Sequence, residues 1–310
     1  MALERSDYLS DVWREGIFND KVVFCTGGNG TICSAQVRAM VHLGANACIV
    51  GRNVDKTESM AKSLMTARQG SEVLGIGSVD VRNAESLNQA VERCVKELGG
   101  IDFCIVGAAG NFLSPLSQLS ANAFKSVIDI DVLGSYNTVK AVLPHLVKSA
   151  STSTSGPGGG RLVFVSATIH YTGAPLQTHA VVAKAGVDAL SANVAIEYGP
   201  RGLTSNVIAP GPIAGTEGME RLGRSEDREA NMKRIPAGRW GTVKEVADAT
   251  VWLFSDAANF VNGSVVVVDG GAWRTNRMAT GGKGMEYPDF LLGGGRVEGV
   301  KGLKKEKAKL

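Results

Sequence analysis

Between Lys21 and Ile32 the chain reads KVVFCTGGNGTI. Val22, Val23, Phe24 and Cys25 predict a short buried strand, and Thr26, Gly27, Gly28, Asn29 and Gly30 a turn that only small residues permit. A helix then begins near Thr31 and Ile32, and its unpaired N–H groups and positive dipole end face whatever sits above the turn. That is chemistry suited to a pyrophosphate. The next apolar run, ANACIV, ends in Gly51 and Arg52. An acidic residue there would suit a ribose 2′-hydroxyl, whereas Arg52 suits a 2′-phosphate, so the expected cofactor is NADPH over NADH. The longer glycine pattern is incomplete, because Thr31 and Cys33 stand where two more glycines would fall. The same residues could be an ordinary strand-to-helix turn beside a surface Arg. Strand, turn, helix and second strand follow in order within one βαβ-sized unit, which favours the nucleotide.

Such a turn needs a sheet behind it. EVLGIGSVDV predicts a third strand ending at Asp80 and Val81, and IDFCIVGAAG a fourth that runs into the small-residue turn Gly107, Ala108, Ala109, Gly110. A long helix is predicted from Asn122 to Val147, with Asn122 as its cap. RLVFVSAT reads as a fifth strand, followed by a helix from about Gln177 to Tyr198. LTSNVIAPGPI is a sixth strand stopped by Pro210, Gly211 and Pro212, VKEVADATVWLF an amphipathic helix, and GSVVVVDGG a seventh strand. This alternation predicts an α/β fold, a doubly wound parallel seven-stranded sheet with helices on both faces. Ligands of such sheets sit at the carboxyl ends of the strands, so the turns at Thr26, Asp80, Ala108, Ser166 and Pro210 should converge on one crevice.

The whole-chain figures exclude other classes. The chain has 310 residues, 44% hydrophobic and 20% charged, enough to bury a real core in one large domain. A net charge of +3, much of it in the closing KGLKKEKAKL, argues against a basic nucleic-acid-binding face. Cys25, Cys33, Cys48, Cys94 and Cys104 lack paired spacing, which predicts buried thiols in a reducing compartment and neither a disulfide framework nor a metal site. No apolar run approaches membrane-spanning length, and the first residues lack the profile of a signal or transit peptide. Residues 1–20 are expected as a lead-in, 21–275 as the nucleotide-binding domain and 276–310 as a Gly- and Lys-rich arm, docked through Tyr287, Phe290 and Leu291. Residues 151–160 read as a flexible loop and 216–235 as a mobile helical lid. The last three residues, Ala308, Lys309 and Leu310, have the small-basic-Leu form of a peroxisomal address.

TGGNGTI, Asp80-Val81, GAAG, Lys184 and PGPIAGTEG together resemble the short-chain dehydrogenase/reductase family across residues 21–272. The resemblance implies a Rossmann-type domain. It assigns Gly107 to Gly110 to the adenosine side of the cofactor, Asp80 and Val81 to the adenine and Lys184 to the nicotinamide ribose. Pro210 through Thr216, with Ile213 among them, would position the carboxamide.

The departures are informative. An ordinary member has a proton-donating Tyr four residues before the Lys; here that residue is Ala180. The usual Ser falls near Ala167 and the usual helix Asn is Asp131. GAAGNFLSPLSQLSANAFKSVIDIDVLGSYN and QTHAVVAKAGVDAL look like the peroxisomal 2,4-dienoyl-CoA reductases, which are altered in this same way. That likeness implies reduction of conjugated dienoyl thioesters by NADPH in the peroxisomal matrix. It implies catalytic Asp131 and Lys184, acyl-CoA contacts at Asn111, Phe112, Ser120, Ala121 and Asn122, a homo-oligomer, and an import receptor reading the C-terminal tripeptide. His179 at a helix start is a structural or surface residue on general grounds and a second-rank site candidate. Two alternatives stay open at this point: a non-catalytic NADPH-binding scaffold, and a 3-ketoacyl thioester reductase in which Tyr171 or Ser166 replaces the missing Tyr; Tyr136 would be packed on the long helix.

Overall fold

The computed structural model describes residues 4–152, 159–216, 218–219, 232 and 235–275. The strands are β1 (Val22–Thr26), β2 (Asn46–Val50), β3 (Val73–Ile76), β4 (Phe103–Val106), β5 (Arg161–Val165), β6 (Thr204–Pro210) and β7 (Val265–Val268). All six neighbouring pairs run parallel, in the order β3-β2-β1-β4-β5-β6-β7. The central strands are mostly apolar because both faces are covered, and β1 is buried at every position.

The connecting helices are α1 (Thr31–His42), α2 (Val54–Met65), α3 (Ala84–Leu98), α4 (Ala121–Ile128), α5 (Gly134–Thr152), α6 (Ile169–Thr172), α7 (Thr178–Tyr198), α8 (Val243–Phe254) and α9 (Ala272–Thr275). One core joins α1 and α8 to the sheet through Val37, Met40, Val251 and Phe254; the other joins α3, α5 and α7 through Leu87, Val142, Leu146 and Val187. The lead-in belongs to the first core. Leu9 and Phe18 are wholly buried, and Ser10 N, Ser10 Oγ and Trp13 Nε1 all donate to the Asp248 carboxylate on α8.

Two features differ from expectation. β3 stops at Ile76, so Asp80 and Val81 lie in the following turn, where Ser78 has a φ of 56°. The long helix starts one residue earlier than expected, capped by Ser120, whose Oγ accepts from Ala123 N at 3.2 Å; Asn122 is an exposed first-turn residue. That helix is also interrupted: Asp129–Leu133 forms a π-helical turn between α4 and α5. Such a turn is a recurrent feature of functional sites, because it re-aims one side chain without ending the helix. Most of the lid expected at 216–235 and the whole 276–310 arm lie outside the described residues, as do residues 153–158 of the expected loop.

Candidate active site

The strand order reverses between β1 and β4, and a cleft of about 640 Å³ opens above them. Its base is two glycine turns in contact. Gly27 adopts φ +69°, and a Cβ there would come within 2.9 Å of the Gly107 carbonyl oxygen. Thr26 Oγ1 accepts from Gly107 N at 3.2 Å and from Ala108 N at 3.4 Å, which ties the turns together. A Cβ on Gly107 would lie 2.3 Å from Cys33 Sγ. The missing Cβ just past the end of β4 therefore makes room for the Cys33 thiol on α1.

Gly27, Asn29, Gly30, Arg52, Asp80, Val81, Gly107, Ala108 and Ala109, all selected from the sequence, line the cleft, joined by Val50, Gly51, Asn53, Lys56, Val79 and Ile130. Thr26 is buried beneath the floor, Gly28 packs against Ile49, and Thr31 and Ile32 begin α1. Arg52 and Lys56 stand at the β2 end, where Asn53 caps α2 by accepting from Lys56 N at 2.8 Å. Asp80 is held by Arg82 Nε at 3.0 and 3.1 Å, and this hydrogen bonding keeps its carboxyl below the ordinary value. Close backbone, the open N-terminus of α1 and a basic far end fit a dinucleotide.

Beyond the floor, the π turn delivers Asp131, which is 1% exposed. Its Oδ1 accepts from Gly110 N at 2.7 Å, and its Oδ2 lies 3.1 Å from Lys184 Nζ as an ion pair. Lys184, on α7, also donates to the Val165 carbonyl at the end of β5 at 3.1 Å. One buried carboxylate thus joins the β4 turn to the α7 ammonium. Ala180 is buried one turn before Lys184, where a proton-donating side chain would stand.

The loop after Gly110 closes against the start of α7. Asn111 Nδ2 donates to Gln177 Oε1 at 2.7 Å, and Ser114 N to the Leu176 carbonyl at 2.8 Å. Between them Phe112 stacks on His179, with centroids 4.0 Å apart and ring planes 14° apart. Leu176 holds φ 66°, strained backbone at this rim. His179 is fully buried and not a surface residue. Ser120, Ala121 and Asn122 are on the exposed first turn of α4, with Ser120 spent as its cap.

Pro210 ends β6 and its carbonyl accepts from Thr168 N at 3.2 Å, so the β5 and β6 ends meet as expected. Pro212 follows Gly211, which packs against Asp269; Ile213 is buried and accepts from Thr216 Oγ1 at 2.9 Å. Nearby, Tyr171 donates to Asp188 Oδ2 at 2.6 Å and His170 Nε2 lies 2.8 Å from the same oxygen. Burial and this bond to a carboxylate push the Tyr171 phenol upward, away from use as an acid. Burial also raises the Asp188 carboxyl, but its contacts with His170 and Tyr171 act the other way and the group lies below its ordinary value.

Sequence reasoning missed Val50, Asn53, Lys56, Val79 and Ile130 as cleft residues. Asn53, Val79 and Ile130 adjoin residues it did select, Val50 lies two before Arg52, and the helical step from Asn53 to Lys56 was a usable signal. The Phe112–His179 stack had none.

The family described as enoyl-(acyl carrier protein) reductase matches residues 28–272. A peroxisomal 2,4-dienoyl-CoA reductase, (3E)-enoyl-CoA-producing, of Saccharomyces cerevisiae is 50% identical over 262 residues, 84% of this chain and 87% of that protein. The Danio rerio protein of the same description is 41% identical, covering 86% of this chain and 85% of its own. Among solved structures, levodione reductase superposes with a TM-score of 0.75 at 27% identity, covering 83% of this chain and all but 1% of that one (99%). A short chain dehydrogenase of Bacillus anthracis gives 0.70 at 31% identity, covering 82% and 96%. With a cofactor cleft at the strand-order reversal and these relatives across most of its length, the chain belongs to the short-chain dehydrogenase/reductase family, in the branch of the peroxisomal 2,4-dienoyl-CoA reductases.

Proposed function

We propose that the chain is a peroxisomal NADPH-dependent 2,4-dienoyl-CoA reductase that forms 3-enoyl-CoA in the breakdown of unsaturated fatty acids. The observation that carries this reading is the buried Asp131–Lys184 pair beside an Ala at position 180. Carbonyl reduction makes an alkoxide that needs an acid of matched pKa at oxygen. Reduction of a conjugated thioester makes no alkoxide. Arg52 at the rim of the cleft and Lys184 on α7 would hold NADPH by its 2′-phosphate and its ribose, and the cofactor would supply the hydride that the δ-carbon of the diene needs. Charge then moves to the thioester oxygen as a dienolate, which the Lys184 ammonium stabilises. Asp131, fixed by Gly110 N–H and paired with Lys184, holds a water. That water gives its proton to the α-carbon: an O–H bond breaks, the dienolate pair forms the C–H bond as the thioester carbonyl re-forms, and the hydroxide left behind takes a proton from Lys184, which solvent restores.

Tyr171 is committed to Asp188, which counts against a carbonyl reductase with a surrogate Tyr. Asn111 and Phe112 line the acyl-CoA side. The same reading includes a homo-oligomer and an import receptor that recognises Ala308, Lys309 and Leu310; the tripeptide lies outside the described residues. The test is NADPH oxidation with 2,4-hexadienoyl-CoA beside a 3-ketoacyl-CoA and a no-substrate control. Consumption with the dienoyl thioester alone is expected. Turnover of the ketoacyl thioester alone would reverse the assignment, and bound NADPH with no turnover of either would make the chain a non-catalytic relative.

A further inference from the structure

His179 has no place in the chemistry described so far, yet its ring is 0% exposed at the start of the helix that carries Lys184. Nε2 lies 3.0 Å from the Phe112 carbonyl oxygen, an atom that can only accept, so Nε2 carries a proton and donates it. Burial holds the ring below the ordinary histidine value, partly opposed by that bond and by the charge of Asp131. The ring is therefore neutral and Nδ1 is a lone-pair acceptor. Its direction is set, because the ring is clamped flat on Phe112.

Among the described residues Nδ1 of His179 has no hydrogen-bond partner, and neither has Oδ2 of Asp131, which meets Lys184 as an ion pair only. A buried polar atom left unpaired is costly, and native structures leave few of them. Here Nδ1 has no donor, Oδ2 has only the Lys184 ammonium at 3.1 Å and keeps a lone pair to offer, and the His179 ring feels the Asp131 charge. A thioester has no donor to offer them. A water molecule has two.

We propose that His179 is a positioning residue for the protonation step: its Nδ1 and Asp131 Oδ2 accept the two O–H groups of one water beside Lys184. The water's O–H that donates to His179 Nδ1 stays intact throughout. The other O–H swings from Asp131 Oδ2 onto the α-carbon, so the imidazole acts as a pivot and no proton passes through it. This rests on the reading of Asp131 as the holder of a proton-donating water.

Three substitutions separate the atoms of the ring. His179→Phe keeps the stack on Phe112 and removes both nitrogens, His179→Gln keeps a donor toward the Phe112 carbonyl, and His179→Asn places an amide oxygen where Nδ1 stood. With the purified full chain and 2,4-hexadienoyl-CoA, kcat is expected to fall about tenfold to a hundredfold in the Phe and Gln variants. KM for NADPH should be unchanged, and His179→Asn should regain most of the loss. Full kcat in His179→Phe or His179→Gln, or equal rates for Gln and Asn, would overturn the pivot. Asp131→Asn is run beside them: if it turns over normally with an unchanged pH profile, the water relay itself is wrong. If it is slow while the His179 variants are normal, only the pivot falls. Should His179→Phe fail to fold, ¹⁵N NMR of the histidine-labelled wild type tests the same point without a variant. A protonated Nε2 with a hydrogen-bonded, unprotonated Nδ1 is expected, and a protonated Nδ1 would overturn the proposal.

Discussion

The two halves of the crevice are built by different means. The cofactor half is backbone: Gly27 against Gly107, two amides on Thr26 Oγ1 and an open helix N-terminus. The half proposed for the substrate is side chains held by side chains: Asp131 on Lys184, His179 on Phe112, Asn111 on Gln177. A pyrophosphate is met by N–H groups that any residue carries, so selection there acts on the absence of Cβ atoms. A dienolate must be met by particular charges, and there the identity of each side chain decides. The first half should thus be sensitive to added volume and the second to removed charge.

The largest effect should follow from the ammonium. Lys184→Ala is expected to lower kcat by about 10² to 10³, the loss typical of a group that stabilises developing charge. Steady-state rates with NADPH binding measured alongside would show whether chemistry or binding is lost; unchanged kcat would remove the main contrast between the halves.

Next comes volume on the cofactor floor. Gly107→Ala pushes a methyl onto Cys33 Sγ and should destabilise the fold by about 1–3 kcal/mol, as overpacking does. Thermal melts and NADPH titration should show the double variant Gly107→Ala with Cys33→Gly recovering most of the loss. If the pair is merely additive, the floor is not packed as described.

Arg52→Ala is a smaller perturbation, at a cation on the open rim. Its KM for NADPH should rise about tenfold, the worth of one charge-assisted contact, with little change for NADH. Equal effects on the two cofactors would remove Arg52 from 2′-phosphate recognition.

The smallest effect concerns the scaffold behind the site. Asp188 lies below its ordinary value in the fold, so its contribution is fully present above the unfolded value near 3.8 and is lost as pH falls through the lower folded value. The Tm of Asp188→Asn should therefore fall less steeply than wild type between about pH 5 and pH 3. Parallel curves would show that the His170 and Tyr171 contacts add nothing to acid stability.

How much of this was legible in the sequence follows the same division. β1, the stop of β6 at Pro210 and the helix Val243–Phe254 coincide with their apolar runs, because periodicity and Pro act locally. The nucleotide turn was legible because only small residues fit it. Ser120 and Asn122 are both good caps two positions apart, and packing decided between them. The π turn left no mark, since one extra residue in a helical turn changes hydrogen bonding and not composition. The Asp131–Lys184 pair was reached through family likeness, and the Phe112–His179 stack spans 67 residues of chain, which no local pattern encodes. The lid at 216–235 lies largely, and the arm wholly, outside the described residues.

The central claim, that a carbon and not an oxygen receives the proton, is tested most directly by following labels into product. Turnover of 2,4-hexadienoyl-CoA in D₂O with unlabelled NADPH should give 3-enoyl-CoA with deuterium at the α-carbon and none at the δ-carbon, and deuterated NADPH in H₂O the reverse. Solvent deuterium found instead at the γ-carbon of a 2-enoyl product, or label on a hydroxyl-bearing carbon, would contradict the roles given to Asp131 and Lys184.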